Sequence, residues 1–313
     1  MPFADPPQPT APQRIATAQV VVNMAAGGVG PDAAEQAARI GAAFGLEMTV
    51  ALVGPAELRM ALAAAIGAAP DLLVIVAGDG TAALAAELCG PGGPVLAPLP
   101  GGTMNMLPHA LYGARAWPQA LEDALRGGRV VDVSGGEVSG HPFHVAAILG
   151  EPALWAEARE AMRRRRPRLA LLYARRAWGR TFSGRLRFSL DGGEPRKAAA
   201  LTLMCPLISR ALSTEGALEA AALDPHDAIE GFRLGLATLM GRWRQDPAVM
   251  TQLCSTGRAW AKGRIPVILD GEPHRFASPL AFRYRPCAFR ALAPADYRPL
   301  EKGREVHAGR AGT

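Results

Sequence analysis

The stretch Leu72-Leu-Val-Ile-Val-Ala77-Gly78-Asp79-Gly80-Thr81 decides the fold, because an apolar run ends in two glycines, a carboxylate and a hydroxyl. The run predicts a buried parallel strand, and Ala82–Leu88 predicts the start of a helix. Glycines let main-chain N–H groups approach a ligand, and a helix N-terminus attracts anions. The stretch therefore indicates a phosphate-binding turn in which Asp79 faces a metal ion or the reacting phosphate. The alternative is a solvated turn with Thr81 as an ordinary N-cap.

A second glycine loop follows the next strand along the chain. The apolar segment Pro94–Pro98 runs into Gly101-Gly102-Thr103-Met104-Asn105, one helix and one strand after the first loop. With right-handed crossovers, both loops fall at the carboxyl edge of one parallel sheet. A third loop of small residues, Met24–Gly30, follows the apolar strand Gln19–Asn23. Three such loops predict a nucleotide-binding edge.

Four motifs together resemble the diacylglycerol kinase catalytic family, which includes bacterial lipid kinases and the sphingosine and ceramide kinases and is related in fold to the NAD kinases. They are an opening loop that begins with Asn, a Gly-Asp-Gly-Thr turn, a Gly-Thr-x-Asn turn and a late Asp-Gly-Glu, found here in this order at Asn23–Gly27, Gly78–Thr81, Gly102–Asn105 and Asp270–Glu272. The resemblance covers the chain from about Gln19 to about Pro294. It implies ATP as phosphoryl donor with Mg²⁺, and a lipid hydroxyl as acceptor.

The resemblance also implies roles for single residues. Glu272, supported by Asp270, would be the general base for the lipid hydroxyl, and Asp79 would orient magnesium or the phosphate. Without the resemblance, Asp270-Gly271 is an ordinary hairpin signal. The residues implied to bind the nucleotide are Asn23, Gly27, Gly78, Asp79, Gly80, Thr81, Gly102, Thr103 and Asn105.

The sequence departs from the family pattern at several positions. In the family the Gly-Asp-Gly-Thr turn reads Gly-Gly-Asp-Gly-Thr, and Ala77 replaces its first glycine. Leu84 stands where many members carry Glu, and Met106 follows Asn105 where Asp is usual. A family Asp-Asp-Gly turn, associated with a magnesium site away from the transferring phosphate, has its counterpart in Thr214-Glu215-Gly216. Glu215 is therefore the expected metal ligand, with a longer side chain that changes the geometry.

Three alternatives to a lipid kinase remain. The departures leave open a catalytically degenerate relative that binds lipid without turnover. An NAD kinase-like enzyme would share the Gly-Asp-Gly turn. The fingerprint Gly28-Val-Gly30-Pro-Asp-Ala33 fits an NAD-binding oxidoreductase, but the second strand ends in Val53-Gly54-Pro55 without an acid for the ribose.

Composition excludes several other classes. With 313 residues, 49% hydrophobic and 20% charged, we expect a soluble globular protein of two domains. No apolar run approaches the ~20 residues of a membrane-spanning helix, and the Pro-rich start lacks a signal core, so we expect a cytoplasmic protein. No Walker A, G-x-S-x-G or H-E-x-x-H sequence occurs. The scattered cysteines argue against a disulfide framework or a metal cluster; they are Cys89, Cys205, Cys254 and Cys287.

The net charge of +6 is concentrated between Arg159 and Arg187, where eleven arginines alternate with apolar and aromatic residues. This pattern favours a membrane-surface element, with a solvated face and a nucleic-acid site as alternatives. We therefore expect peripheral association with the inner face of an anionic membrane, a lipid substrate as partner and no nucleic acid, and homodimerisation stays open. The expected membrane contacts are Arg163, Arg164, Arg165, Arg166, Arg175, Arg176 and Trp178.

The expected fold class is α/β, with an N-terminal doubly wound parallel-sheet nucleotide domain and a C-terminal, mostly antiparallel β-sandwich domain. The expected boundaries are a Pro-rich disordered tail at 1–16, the nucleotide domain at 17–134, the lipid-substrate domain at 135–296 and a tail at 297–313. In the first domain, strands are predicted at Gln19–Met24, Met48–Val53, Leu72–Ala77, Val95–Leu99 and Val130–Val133, and helices at Ala33–Phe44, Glu57–Ile66, Ala82–Leu88, Asn105–Tyr112 and Trp117–Arg126. In the second, strands are predicted at Phe143–Leu149, Arg185–Leu190, Ala199–Cys205, Leu218–Leu223, Ile265–Leu269 and Ala281–Tyr284, and helices at Pro152–Met162 and Ile229–Arg244.

Overall fold

The computed structural model of the chain describes residues 15–150, 186–209, 216–224, 244 and 246–298. It divides into two compact units. The first contains the chain up to Asp132 together with Phe289–Tyr297, and the second contains Val133–Ala288 and the chain from Arg298 onward. The predicted fold class is confirmed: the first unit contains a parallel sheet with helices, and the second contains antiparallel strands.

Strands and helices alternate in the first unit. The elements are β1 (Thr17–Asn23), α1 (Ala33–Ala43), β2 (Glu47–Val53), α2 (Leu58–Gly67), β3 (Leu72–Ala77), α3 (Asp79–Cys89), β4 (Val95–Pro100), α4 (Met106–Tyr112) and α5 (Trp117–Gly127). The parallel strands lie in the order β2-β1-β3-β4. The order reverses between β1 and β3, and ligands of doubly wound sheets bind at such a switch point, outside the carboxyl ends of the strands.

Burial distinguishes β3 and β4 from the other two strands of this sheet. All six residues of each strand are buried, as expected for parallel strands covered on both faces. The loops that follow β1, β3 and β4 therefore emerge side by side at one edge.

The second unit consists of antiparallel strands. They are β6 (His141–Phe143), β7 (Ala146–Gly150), β8 (Leu186–Leu190), β9 (Arg196–Ala198), β10 (Ala200–Met204), β11 (Leu218–Leu223), β12 (Val249–Cys254), β13 (Thr256–Trp260), β14 (Ile265–Leu269) and β15 (Glu272–Phe276). Two longer strands, β5 (Arg129–Val138) and β16 (Leu280–Ala293), have residues in both units. One sheet has the order β12-β11-β10-β7-β14-β15, and β16, β13, β8 and β9 pair in that order. A cluster of buried side chains, including Phe143, Leu149 and Phe188, forms the core of this unit.

Several predicted elements are corrected by the structure. The predicted strand Phe143–Leu149 is two strands. The backbone N–H groups where β6 ends and β7 begins donate to the carboxylate of Asp270 instead of to a neighbouring strand. The sequence missed β9, β12, β13 and β15, whose residues are mostly exposed or half-buried and so give no clear apolar alternation. Predicted helix Pro152–Met162 lies outside the described residues, as does Ile229–Arg244 except for Arg244.

Asp71 joins the start of β1 to the start of β3. Its Oδ2 accepts hydrogen bonds from the backbone N–H groups of Ala16 at 2.9 Å and Thr17 at 3.0 Å. These bonds, Ala16 first, hold the pKa of Asp71 below its ordinary value of 3.8. A carboxylate with a depressed folded-state pKa stabilises the fold above its unfolded-state pKa, and this stabilisation disappears as the pH falls through the folded-state pKa.

We therefore expect Asp71→Asn to lower the free energy of unfolding at pH 7 by about 1 kcal/mol or less, because water screens this exposed group. The difference between variant and wild type should shrink as the pH falls below 3.8, the ordinary pKa of the carboxyl, and disappear once the pH is below the depressed folded-state pKa of Asp71. Urea denaturation at pH 7 and at pH values below 3.8 measures this difference in unfolding free energy. The control variant changes the exposed Asp132 to Asn. A difference that is constant with pH would show that the charge of Asp71 contributes nothing.

Candidate nucleotide-binding site

The predicted Gly-Asp-Gly-Thr turn is the first turn of α3. The helix begins at Asp79 rather than Ala82, and Gly78, with extended backbone at φ −84° and ψ 174°, is its N-cap in place of Thr81. The backbone oxygen of Gly78 accepts from the N–H groups of Thr81 and Ala82, both at 3.1 Å. Helix geometry leaves the N–H groups of Asp79 and Gly80 without an intrahelical acceptor. These donors at a positive helix end can bind phosphate oxygens.

Asn23, at the end of β1, shapes the edge of the site. Its Nδ2 donates to Thr81 Oγ1 at 3.2 Å, and its Oδ1 accepts from the Ala25 N–H at 3.0 Å. Thr81 is buried. The side chain of Asn23 therefore joins the first loop to the first turn of α3, a contact that links residues 58 positions apart.

The loop after β4 packs backbone against backbone on the loop after β3. A Cβ atom placed on Gly102 would lie 2.5 Å from Gly78 Cα, and one placed on Gly101 would lie 2.7 Å from the nitrogen of Ala77. The N–H of Gly28 in the first loop donates to the oxygen of Gly101 at 2.8 Å. Glycine is required at 101 and 102 because no side chain fits between these loops.

Gly27 and Thr103, both predicted nucleotide contacts, have exposed positions. A Cβ on Gly27 would have no neighbour within 4 Å, so packing does not require glycine there. Both residues are open to a ligand, and their contact with nucleotide stays a prediction.

Asn105 forms the turn that begins α4. It has left-handed backbone geometry at φ 50°, which asparagine tolerates better than most residues. Its Oδ1 accepts from the Gly102 N–H at 2.7 Å, and its Nδ2 donates to the Gly102 oxygen at 2.9 Å. Both polar ends of this buried amide are thus used to hold the loop.

Asp79 is half-buried and has a hydrogen-bond partner that the sequence did not predict. Its Oδ1 accepts from the backbone N–H of Leu107, in the first turn of α4, at 3.2 Å. Its Oδ2 has no hydrogen bond within the part of the chain that the structure describes. Asp79 therefore has one oxygen that holds α4 and a second that is available to a metal ion.

The remaining predicted site residues lie in the second unit. Asp270 and Gly271, with φ values of 47° and 94°, form the two-residue turn between β14 and β15. The carboxylate of Asp270 accepts three backbone hydrogen bonds, from His144 at 2.7 Å, Val145 at 2.9 Å and Ala146 at 3.0 Å. The structure thus gives Asp270 the role of holding the connection between β6 and β7.

Glu272 is exposed and begins β15. The same face of that strand carries His274 and Phe276, whose rings stack with centroids 5.9 Å apart. The ring of His141 lies 5.0 Å from Phe276 and 5.9 Å from His274. Burial lowers the pKa of His274, the charge of His141 lowers it further, and the charge of Glu272 acts in the opposite direction. The alternation of Glu272, His274 and Phe276 is the sequence signal for this group, which the sequence motifs do not include.

Other predicted contacts lie outside the described residues. These are Glu215, the expected metal ligand, and the expected membrane contacts between Arg163 and Trp178. Within the described ranges, no group of three or more His, Cys, Asp or Glu side chains could hold a metal ion. The helices described there are all too short or too polar to cross a membrane.

Comparison with known proteins finds one family model that matches part of the chain. Residues 17–137 match the family model of the diacylglycerol kinase catalytic domain. No curated protein sequence matches the chain.

The fold is similar to that of solved structures from Bacillus anthracis str. Sterne. A diacylglycerol kinase has a TM-score of 0.67 and 14% identity, and the match covers 91% of this chain and 100% of that chain. Two candidate diacylglycerol kinases have TM-scores of 0.70 and 0.65 and identities of 17% and 16%. The matches cover 91% and 90% of this chain and 100% and 99% of theirs. At such identities the similarity establishes the fold.

Proposed function

Because residues 17–137 match the diacylglycerol kinase catalytic domain, as the sequence motifs predicted, we propose that the protein is a lipid kinase that uses ATP and Mg²⁺. Its acceptor is a hydroxyl of a long-chain membrane lipid of the diacylglycerol, ceramide or sphingoid-base class. The observation that carries the proposal is the first turn of α3, where unpaired N–H groups and the Asp79 carboxylate meet two tightly packed glycine loops.

The proposed reaction assigns a task to each group. The lipid hydroxyl oxygen attacks the γ-phosphorus of ATP, the bond from that phosphorus to the β,γ-bridging oxygen breaks, and ADP leaves. The hydroxyl proton passes to Glu272. The N–H groups of Asp79 and Gly80 hold phosphate oxygens, and Thr103 adds a hydroxyl donor.

Magnesium, when bound, neutralises the charge on the phosphate oxygens. Asp79 Oδ2 is the carboxylate oxygen beside the glycine loops that is available to hold it. Glu215 remains the proposed ligand of a separate magnesium site, away from the transferring phosphate. Magnesium prefers such oxygen donors, so the residues fit the ion.

Incubation with γ-labelled ATP, magnesium and single lipid classes tests the proposed activity. Transfer of label to a lipid, dependent on magnesium, supports a lipid kinase. Transfer to NAD supports the NAD kinase alternative. Lipid binding without transfer supports the degenerate relative.

Replacing Asp79 with Asn should lower phosphoryl transfer by about 100-fold, because the charge beside the phosphates is lost. The amide oxygen of Asn can still accept the hydrogen bond from Leu107, so the melting temperature should stay close to that of the wild type. Steady-state kinetics at several magnesium concentrations, together with a melting curve, check both expectations.

Asp79→Ala serves as the comparison, since it removes both the charge and the bond to Leu107. It should lose activity and also stability. Wild-type turnover in Asp79→Asn would remove Asp79 from the mechanism and leave it only the hydrogen bond to Leu107 in the first turn of α4.

A further inference from the structure

In the second unit, four neighbouring antiparallel strands each carry at least one cationic side chain on the same face of their sheet. Along the order β16, β13, β8 and β9, Arg258 lies opposite both Ala281 and Ser189, and Arg187 lies opposite Lys197. Arg283 lies opposite Thr256. Directly paired residues and residues two apart on a strand share a face. The register therefore places these cations on a single side.

That side faces solvent. Arg187, Lys197 and Arg258 are exposed, and the side chain of Arg283 is 63% exposed. The alternating residues on the other side, such as Phe188 and Phe282, are in the core. We call the outward cations the basic sheet face; its members are Arg187, Lys197, Arg258, Arg283 and Arg285.

The strands that form the basic sheet face have an excess of positive charge. β8, β9, β13 and residues 280–288 of β16 contain six Arg or Lys residues and no Asp or Glu. The sixth cation, Arg196, turns toward Gln252 on β12, at 3.3 Å.

Within the described ranges, three members of the face have no acidic partner. Glu137 on β5 lies 2.9 Å from Arg283 and 3.7 Å from Arg285, which neutralises part of that edge. Across the described ranges, no carboxylate forms an ion pair with Arg187, Lys197 or Arg258. The two nearest acids in sequence are in the β8–β9 turn, where Glu194 is exposed and Asp191 binds the N–H groups of Ser255 and Thr256.

An aromatic ring lies among these cations. Trp260 is directly opposite Arg187, on the same face, and is half-buried. An indole ring has an apolar body and a polar N–H, which suits the boundary between headgroups and acyl chains. Arg187 is also the last arginine of the basic segment that the sequence predicted to meet a membrane.

We propose that the basic sheet face docks the protein on an anionic lipid bilayer, with headgroup phosphates between Arg187, Arg258 and Lys197 and Trp260 at the interface. This deepens the proposed function, since an enzyme with a membrane lipid as substrate must work at such a surface. A broad sheet face of four strands suits a planar surface better than the major groove of a nucleic-acid duplex, which admits a helix or a two-stranded ribbon.

Vesicle co-sedimentation without nucleotide tests the docking. The wild type should bind phosphatidylglycerol vesicles, bind phosphatidylcholine vesicles weakly, and lose binding as salt rises. The triple variant Arg187→Gln, Lys197→Gln, Arg258→Gln should bind phosphatidylglycerol vesicles about 100-fold more weakly, and each single variant about fivefold more weakly. The exposed positions should leave the melting temperature unchanged.

A matched control removes the same net charge elsewhere. Arg39, Arg59 and Arg126 are exposed residues on helices of the first unit, and changing all three to Gln should alter vesicle binding by less than about threefold if the face is specific. Two results would overturn the docking face: an equal loss of vesicle binding in both triple variants, or no loss of vesicle binding in the Arg187, Lys197 and Arg258 triple variant. The proposal would also be overturned if the wild type bound a DNA duplex but no vesicles, and the Arg187, Lys197 and Arg258 triple variant lost the DNA binding.

The vesicle-binding experiment gives its answer whether or not the protein phosphorylates a lipid. If the protein phosphorylates no lipid but loses vesicle binding with the basic sheet face, the docking surface stands and the proposed function fails. If the triple variant keeps full vesicle binding while lipid phosphorylation is intact, the proposed function stands and the docking surface fails.

Discussion

Replacing Glu272 with Gln should lower phosphoryl transfer by about 100- to 10,000-fold while ATP binding changes little, as expected for a general base that acts in the transition state. Glutamine has the same shape, and the pairing of residue 272 with Leu269 uses only backbone groups. The exposed position means that no core contact is lost. Single-turnover kinetics and a nucleotide-binding titration separate the two effects.

Two variants serve as controls for this result. Glu194 is another exposed glutamate of the second unit, and Glu194→Gln should leave transfer unchanged. Asp270→Asn should mainly lower the melting temperature, because one amide oxygen cannot replace the carboxylate that accepts three backbone N–H groups. Turnover of Glu272→Gln within a few-fold of the wild type would place the base elsewhere.

Replacing Gly102 with Ala should lower kcat/KM for ATP by about 100-fold or more, because displacing catalytic groups by about 1 Å costs this much. The new Cβ would lie 2.5 Å from Gly78 Cα and 3.1 Å from Asn105 Oδ1. Backbone cannot rotate away as a flexible side chain can, so the loops after β3 and β4 must separate. The first turn of α3 would then lose its position relative to the Gly102–Thr103 backbone.

The matched control is Gly92→Ala, in the connection between α3 and β4. A Cβ there meets nothing within 4 Å, so activity and melting temperature should stay at wild-type values. Wild-type activity of Gly102→Ala would mean that the packing of the two loops does not position the nucleotide.

The sequence predicted the first unit well because its strands are uniformly apolar and its loops carry glycines. The predicted strand Leu72–Ala77 has the observed bounds, and the strand and helix order through Trp117 was correct. The start of α3 was placed too late, because Gly-Asp-Gly-Thr has low helix propensity and is helical only where Gly78 can accept from Thr81 and Ala82.

The second unit was predicted less completely. The strand predicted at Ala281–Tyr284 is part of the 14-residue strand β16, and four polar strands, β9, β12, β13 and β15, were missed. Such strands are held by pairing with partners distant in sequence, such as β13 with β8. Local patterns contain little of that information.

By itself, the sequence determined the βα alternation, the three glycine loops and the Asp-Gly-Glu turn, since these depend on local backbone freedom and on the period of apolar residues. Only the tertiary structure decided what the polar side chains bind. It placed Asn23 on Thr81, Asp79 on Leu107, and Asp270 on the backbone between β6 and β7. It also brought the cations of β8, β9, β13 and β16 onto one sheet face, because strand register is set by pairings between distant segments.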